Sequence, residues 1–211
     1  MADGFALKFV ALGDSLTVGF QPPGIFLPGR EAFPYTRFLD IILSGELPRK
    51  GLGRLRVSFR NAGMLGDTVR SMLERFDGHV AAEEPDYVIV WGGINDLFML
   101  RDPESIAGDL KRIYGRALEA GIGPIACAVT SVIGPDDIIP RVMELNQLIR
   151  GHCNDHGVPL ADLFAATSDE SGRLRETFSS DGVHLSQAGY RRVAHTIYYE
   201  AIEPILNGLK K

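Results

Sequence analysis

The order of apolar segments along the chain constrains its fold more than any other feature of the sequence. Short apolar runs of strand length alternate with longer segments whose apolar residues recur at the helical period. This alternation is typical of a parallel sheet covered by helices on both faces. The sequence therefore predicts an α/β protein with five parallel strands.

The predicted strands are nearly continuous in valine, isoleucine and alanine, which is typical of strands buried on both faces. They span residues 8–12, 55–60, 87–91, 125–130 and 158–160. The predicted helices span residues 35–47, 68–83, 103–120, 141–155 and 187–209. Each predicted strand is thus followed by one predicted helix.

The length of the chain, 211 residues, suits one compact domain spanning residues 1–211. Hydrophobic residues make up 45% of the chain and charged residues 23%, a composition that speaks against disorder and fibrous repeats. Its two cysteines, Cys127 in a predicted strand and Cys153 in a predicted helix, fit reduced thiols better than a disulfide framework.

The charge of the chain and its amino terminus bear on its partners and location. The formal net charge is −5, and no basic run, including the closing pair Lys210 and Lys211, is longer than two residues, so a nucleic-acid partner is disfavoured. The first residues lack the cationic start and apolar stretch of a secretion signal, and no apolar run reaches the roughly 20 residues of a membrane span. We therefore expect a cytoplasmic protein without a membrane span. The sequence indicates no oligomeric state.

Two segments rich in proline and glycine, residues 20–34 and 131–140, follow the first and fourth predicted strands. Ligands of open parallel sheets bind at the carboxyl ends of the strands, so both segments are expected to overhang the same crevice. Ile25 to Leu27 and the Ile138–Ile139 pair are either anchors buried against the body or parts of an acyl pocket. The prolines of residues 20–34 favour a stiff segment over a moving lid.

Ser15 lies in a Gly-Asp-Ser-Leu sequence directly after the first predicted strand. The chain must turn sharply there, which exposes this serine at the carboxyl end of the strand. If a helical turn begins at Ser15, its backbone N–H can stabilise a negative oxygen nearby. Serine is a poor nucleophile at its free pKa, however, and needs a base.

A candidate base stands in the sequence SDGVHL at residues 180–185, before the last predicted helix. Asp181 and His184 are three residues apart and can meet within one turn, so the carboxylate can accept the imidazole N–H and fix its tautomer. The other ring nitrogen is then free to take the proton of Ser15. The G-x-S-x-G elbow of the α/β-hydrolases does not occur in the sequence, which disfavours that fold.

Two further strand ends offer hydrogen-bond donors for the oxyanion of a tetrahedral intermediate. Asn61 to Gly63 follow the second predicted strand, and Gly63 can present a bare N–H. Asn95 follows the third predicted strand and can present its side-chain amide. Donors of this kind are needed wherever acyl transfer develops negative charge on oxygen.

Four sequence blocks together resemble the SGNH hydrolases, also called GDSL esterases and lipases. The blocks are GDSLTVG at 13–19, NAGMLGDT at 61–68, GIND at 93–96 and DGVHL at 181–185, which continues to Gly189 and Tyr190. Each block is weak alone, but four in the same order at predicted element boundaries make a strong signal.

The resemblance implies a flavodoxin-like, three-layer α/β/α sandwich and a mechanism without a metal or another cofactor. It also implies that Ser15 is the nucleophile and that His184 and Asp181 complete a catalytic triad. The backbone N–H groups of Ser15 and Gly63 would form the oxyanion hole with the amide of Asn95.

Structural roles are the alternative for several of these residues. Asp14 or Ser15 can cap the next helix, and we expect Asp14 and Asp96 to be structural rather than catalytic. His152 and His156 have the i, i+4 spacing of metal ligands on a helix. Metal binding is disfavoured there, because no third ligand stands out and a helix carboxyl end stabilises cationic histidine.

The candidate residues predict a serine esterase that hydrolyses acyl esters through an acyl-enzyme intermediate. A thioesterase or lysophospholipase with the same triad is one alternative, and a carbohydrate deacetylase is another. An inactive module that binds an acylated or sugar ligand is the alternative outside enzymes. We expect hydrolysis to rise with pH around 6–7, where an unperturbed histidine loses its proton.

Overall fold

The computed structural model describes residues 6–22, 32–134 and 136–209. Within these residues, five parallel strands form one sheet in the order β2-β1-β3-β4-β5. The strands are β1 (Ala6–Gly13), β2 (Arg56–Gly63), β3 (Tyr87–Trp91), β4 (Gly123–Cys127) and β5 (Leu160–Ala161). This order, with helices on both faces, confirms the flavodoxin-like α/β/α sandwich.

The helices form two layers. They are α1 (Ser15–Val18), α2 (Tyr35–Arg49), α3 (Val69–Glu74), α4 (Phe76–His79), α5 (Ile94–Phe98), α6 (Pro103–Glu119), α7 (Ile138–His156), α8 (Leu163–Thr167), α9 (Gln187–Ile197) and α10 (Glu203–Gly208). On one face α2 packs against α9, and on the other α6 packs against both α3 and α7. None of the described helices is long and apolar enough to span a membrane.

The core is built on the three central strands. Val10 of β1 and both Ile89 and Val90 of β3 are fully buried, because helices cover each face of the sheet there. Burying one such side chain stabilises the fold by about 1.5–3 kcal/mol. The edge strand β2 instead alternates between half-buried and exposed residues over most of its length, as expected where one face of a strand is covered and the other meets water.

The second predicted strand is longer than expected and the fourth lies earlier. Asn61 to Gly63 belong to β2 rather than following it, because β2 pairs with β1 as far as Gly63 opposite Gly13. β4 ends at Cys127 instead of residue 130. The side-chain amide of Asn146 accepts the N–H of Val129 at 2.7 Å and donates to its C=O at 2.8 Å, so these groups do not pair with a neighbouring strand. The fifth strand is shifted from 158–160 to Leu160–Ala161.

Two predicted helices are interrupted. Residues 68–83 contain α3, α4 and a 3₁₀ turn, Ala81–Glu83, and the first break falls at Arg75, whose side chain turns towards β1. Residues 187–209 contain a π-helical turn, Tyr198–Ile202, between α9 and α10. The turn precedes Pro204, which cannot donate the next helical hydrogen bond.

Of the two predicted loops, the structure describes one almost completely and only the ends of the other. The loop expected at 131–140 is shorter, because α7 begins at Ile138, and both Ile138 and Ile139 are buried against the body. The expectations for Ile25 to Leu27, and most of the predicted 20–34 loop, lie outside the described residues.

The strand order reverses between β1 and β3, which is where ligands of such sheets bind. The pairing sets Gly63 and Trp91 level with Gly13 at the carboxyl ends of the three adjacent strands. The residues that follow these strands therefore share one edge of the sheet.

Candidate active site

The turn after β1 presents Ser15 as the first residue of α1. The Asp14 carboxylate accepts the N–H of Leu16 at 2.9 Å and so caps this short helix, which ends at Gly19 in a left-handed conformation (φ 80°). The backbone N–H of Ser15 meets no acceptor within the described part of the chain. The first N–H groups of a helix have no partner within the helix, so this one is available to an anion.

Ser15, His184 and Asp181 lie in one hydrogen-bonded row. The Nε2 atom of His184 is 3.0 Å from the Oγ of Ser15, and its Nδ1 atom is 2.7 Å from Oδ2 of Asp181. Ser15 is only 8% exposed, while the side chains of His184 and Asp181 are 21% and 32% exposed. The imidazole thus bridges a buried hydroxyl and a half-buried carboxylate.

Hydrogen bonds within residues 179–185 hold the carboxylate in place. Oδ1 of Asp181 accepts the backbone N–H groups of Val183 (3.0 Å) and His184 (2.7 Å). Gly182 adopts φ 97°, and its carbonyl accepts the N–H of Ile133 at 2.7 Å. Desolvation is the largest influence on the Asp181 pKa and raises it, but hydrogen bonds from the His184 ring and these N–H groups outweigh it and hold the pKa below its ordinary value. The group is therefore a carboxylate at neutral pH.

The ring of His184 also packs against the segment that follows α1, residues Phe20 and Gln21. The ring centroid of Phe20 lies 4.6 Å from that of the imidazole, and the carbonyl of Phe20 accepts the hydroxyl of Tyr190 at 3.2 Å. The side chain of Gln21 donates to the carbonyl of Leu185. The segment after α1 is thereby fastened to the loop that carries the histidine.

Two of the three predicted oxyanion donors, Gly63 and Asn95, have partners in this structure. The N–H of Gly63 donates to Oδ1 of Asn61 at 2.9 Å, so it must be released or shared to meet an oxyanion. The Nδ2 of Asn95 donates to the carbonyl of Asp67 at 2.9 Å, and its second N–H is left for another acceptor. Of these three predicted donors, the N–H of Ser15 and the second N–H of Asn95 have no acceptor among the described residues.

Asp14 and Asp96 have structural contacts, as expected. Burial is the main cause that raises the pKa of Asp14 to about 7, and the nearby carboxylates of Asp67 and Asp96 add to it. Asp96 accepts the N–H of Val69 at 2.9 Å and binds Arg101 at 2.9 Å. Burial also raises the pKa of Asp96, against the effect of those two bonds.

Other contacts near the site were not anticipated from the sequence. Asp67 stands in the block at 61–68 but had no expected contact, while Phe20 and Arg75 carry no sequence signal of their role. Each reaches the site through a contact between segments far apart in the chain, which spacing alone does not reveal.

His152 and His156 lie on one face of α7 with ring centroids 4.1 Å apart. Nδ1 of His156 lies 3.0 Å from the carbonyl of His152. In the described ranges, no three histidine, cysteine, aspartate or glutamate side chains come together as a metal site. Cys127 and Cys153 are both free thiols and buried.

Comparisons with known proteins identify relatives along most of the chain. The model of the GDSL-like Lipase/Acylhydrolase family matches residues 11–192. An acetylxylan esterase from Geobacillus stearothermophilus is 26% identical over 208 residues, which cover 96% of this chain and 86% of that protein.

Solved structures of similar proteins share the fold. A lipase/acylhydrolase from Enterococcus faecalis has a TM-score of 0.70 at 25% identity, covering 94% of this chain and 96% of that one. A catalytic mutant of the acetylxylan esterase from G. stearothermophilus has a TM-score of 0.74 at 24% identity, covering 95% and 96%. The family match confirms the resemblance in the sequence and includes every candidate site residue. The chain therefore belongs to the GDSL-like lipase/acylhydrolase family and is a carboxylic ester hydrolase.

Proposed function

We propose that the protein hydrolyses carboxylic esters through a catalytic triad of Ser15, His184 and Asp181 and a covalent acyl-enzyme. One observation carries the proposal: His184 lies within hydrogen-bond distance of both other residues, 3.0 Å from the Ser15 hydroxyl and 2.7 Å from the Asp181 carboxylate. A nucleophile, a base and a group that orients the base are the parts that acyl transfer requires.

In the first half of the reaction, Oγ of Ser15 attacks the ester carbonyl and its proton passes to Nε2 of His184. Asp181 accepts the N–H at Nδ1, which keeps Nε2 unprotonated before attack and stabilises the imidazolium that forms. The tetrahedral intermediate then collapses, the carbon–oxygen bond to the alcohol breaks, and the alcohol takes the proton from Nε2. Ser15 is left acylated.

In the second half, water replaces the alcohol. His184 removes a proton from the water, whose oxygen attacks the acyl carbonyl. The bond from the acyl carbon to Oγ of Ser15 then breaks, Oγ takes the proton back from Nε2, and the acid is released. The same donors serve both tetrahedral intermediates. The N–H of Ser15 and the amide of Asn95 are the available donors, and the N–H of Gly63 joins them by leaving Oδ1 of Asn61.

The test of this mechanism compares the wild type with Ser15→Ala on p-nitrophenyl esters from acetate to palmitate. We expect turnover in the wild type and a loss of about 10³-fold or more in the variant, because no other group forms the acyl-enzyme. Circular dichroism controls for folding. Full activity in a folded Ser15→Ala variant would refute the triad. A wild type that is inactive on every ester but labelled at Ser15 by an organophosphate would move the search to thioesters.

A carbohydrate acetyl ester is the second candidate substrate, favoured by the similarity to the acetylxylan esterase. A solved structure of that esterase is of a catalytic mutant in which a serine is replaced by alanine. This supports a serine mechanism for the acetylxylan esterase and, by similarity, for this chain. We propose comparing kcat/KM on acetylated xylo-oligosaccharides with that on p-nitrophenyl acetate and p-nitrophenyl octanoate. Preference for the acetylated sugar supports a deacetylase, and preference for octanoate supports a lipase-like esterase or lysophospholipase.

A further inference from the structure

The turn that follows β2, residues Met64 to Asp67, lies beside the nucleophile and is fixed at both of its ends. At its start, the N–H of Met64 donates to the carbonyl of Gly13 at 3.0 Å. Within it, the N–H of Asp67 donates to the carbonyl of Met64 at 3.3 Å, and Gly66 adopts φ 70°. The turn is closed on itself and tied to the residue that precedes Asp14 and Ser15.

Arg75 fixes the other end of the same turn. Its Nε and Nη2 atoms lie 2.7 Å and 2.6 Å from one oxygen of the Asp67 carboxylate, Oδ2. The same Nη2 donates to the carbonyl of Gly13 at 3.1 Å. The carbonyl of Gly13 therefore accepts the Met64 N–H at one end of the turn, and it also accepts Nη2 of Arg75, which binds Asp67 at the other end.

Asp67 in turn orients an oxyanion donor. Its backbone carbonyl accepts Nδ2 of Asn95 at 2.9 Å, and Oδ1 of its carboxylate accepts the N–H of Thr68 at 3.1 Å. The direction in which the Asn95 amide points is thus set by the position of the Asp67 carbonyl. The guanidinium of Arg75 binds the carboxylate of the same residue.

The burial of this ion pair argues for a role in geometry. The side chains of Arg75 and Asp67 are only 10% and 3% exposed. Removing both charges from water is costly, and apolar side chains of similar volume often stabilise a protein as well as a buried pair does. A contribution to stability therefore does not by itself account for the buried Arg75–Asp67 pair, whereas a role in holding the turn at residues 64–67 in one conformation does.

We propose that Arg75 is a positioning residue for the oxyanion hole, which aligns the Asn95 amide with Ser15 by tying the Asp67 turn to the carbonyl of Gly13. Arg75 makes its hydrogen bonds to Asp67 and Gly13 rather than to the triad, and acts through Asp67. The inference rests on the proposed function, because it assumes that Asn95 stabilises an oxyanion. Misplacing a catalytic group by about 1 Å costs as much as about 100-fold in rate.

The test uses Arg75→Met, which keeps most of the side-chain volume, and Arg75→Lys, which keeps the charge but cannot make both contacts at once. Active sites are counted by organophosphate titration, and kcat per active site is measured on p-nitrophenyl acetate. We expect kcat to fall about 10–100-fold in Arg75→Met and less in Arg75→Lys, with KM changed by less than about threefold. The affinity for butylboronic acid, which forms a tetrahedral adduct with serine, should weaken in step with kcat.

Arg150→Met is the matched control, because it removes another arginine–aspartate pair, Arg150 with Asp162 at 2.8 Å, and should keep kcat per site. If Arg75→Met does not fold, Arg75→Met/Asp67→Asn removes the unpaired buried charge and carries the same expectation. A folded variant with wild-type kcat and boronate affinity would overturn the positioning role. The Ser15→Ala variant in the same assay separates the two proposals, since activity retained there would refute the triad itself.

Discussion

Asp181 is the residue whose role is most sharply defined by its contacts. Its two oxygens accept three hydrogen bonds, from the His184 ring and the N–H groups of Val183 and His184. Because its pKa lies below the ordinary value of 3.8, it stays ionised from pH 5 upwards. A change in activity between pH 5 and 8 therefore does not come from Asp181.

We predict that Asp181→Asn lowers kcat by about 10³–10⁴-fold while leaving KM nearly unchanged. An asparagine amide can fill the same space but favours the wrong tautomer of His184, so that Nε2 carries a proton and cannot act as base. The measurement is kcat per active site on p-nitrophenyl acetate, with folding checked by circular dichroism. A loss of less than about tenfold would show that another group orients His184.

Asp14 shows the opposite electrostatic balance. Burial raises its pKa from 3.8 to about 7, so the folded protein holds this proton more tightly than the unfolded chain does. The resulting stabilisation is complete below pH 3.8 and is lost as the pH rises to about 7. Above that, the folded state carries an ionised carboxylate in a buried position.

We predict that Asp14→Asn gains stability relative to the wild type as the pH rises from about 4 to 7, with no further gain above. The full change is on the order of 4 kcal/mol, at about 1.4 kcal/mol per pH unit. Urea unfolding at pH 4 and pH 8 spans nearly all of this change. The asparagine oxygen can still accept the N–H of Leu16, so the helix cap is kept. An equal difference at both pH values would mean that Asp14 is ionised throughout this range.

At the scale of elements, the contact between β2 and α1 places the nucleophile. A Cβ atom added at Gly63 would lie 2.6 Å from the backbone nitrogen of Val18 and 3.0 Å from the carbonyl of Asp14. Neither backbone atom can move without shifting α1. Gly63 is therefore needed for the close approach of the two elements, in addition to the N–H that it carries.

We expect Gly63→Ala to lower kcat by about 100-fold, because α1 and Ser15 must shift to admit the methyl group. Gly78→Ala in α4 is the matched control. A Cβ added at Gly78 meets nothing within 4 Å, and alanine favours a helix over glycine by roughly 0.5–1 kcal/mol. Kinetics and thermal unfolding of both variants test this, and equal kcat values would show that α1 tolerates the displacement.

At the scale of the whole molecule, the central strands are more completely buried than the edge strand. Val90 in β3 is fully buried between the two helix layers, whereas Val57 in β2 is only half-buried. The same substitution at the two positions therefore compares the interior of the sheet with its edge.

We predict that Val90→Ala lowers the free energy of unfolding by about 2 kcal/mol or more and Val57→Ala by less than about 1 kcal/mol. The first leaves a cavity between packed layers and the second removes methyl groups already in contact with water. Denaturant unfolding at pH 7 gives both values. Equal losses would mean that β2 is as well covered as β3.

The sequence by itself determined the fold class and the identity of the candidate residues. Alternating strand and helix patterns are local, because burial on two faces and the helical period leave their mark on adjacent residues. Ser15, Asn95 and His184 were found because each follows or precedes a predicted element in a short recognisable block. The end of β4 was misplaced because it depends on Asn146, which is distant in sequence.

Only the tertiary structure decided how these residues meet. The 3.0 Å contact between Ser15 and His184 joins positions 169 residues apart, and the strand order brings Gly63 beside α1. The occupied N–H of Gly63 and the ties made by Arg75 depend equally on packing between distant segments. Pattern and spacing describe neighbours along the chain, whereas the position of a donor within a fraction of an ångström is set by contacts that form only when the whole sheet is assembled.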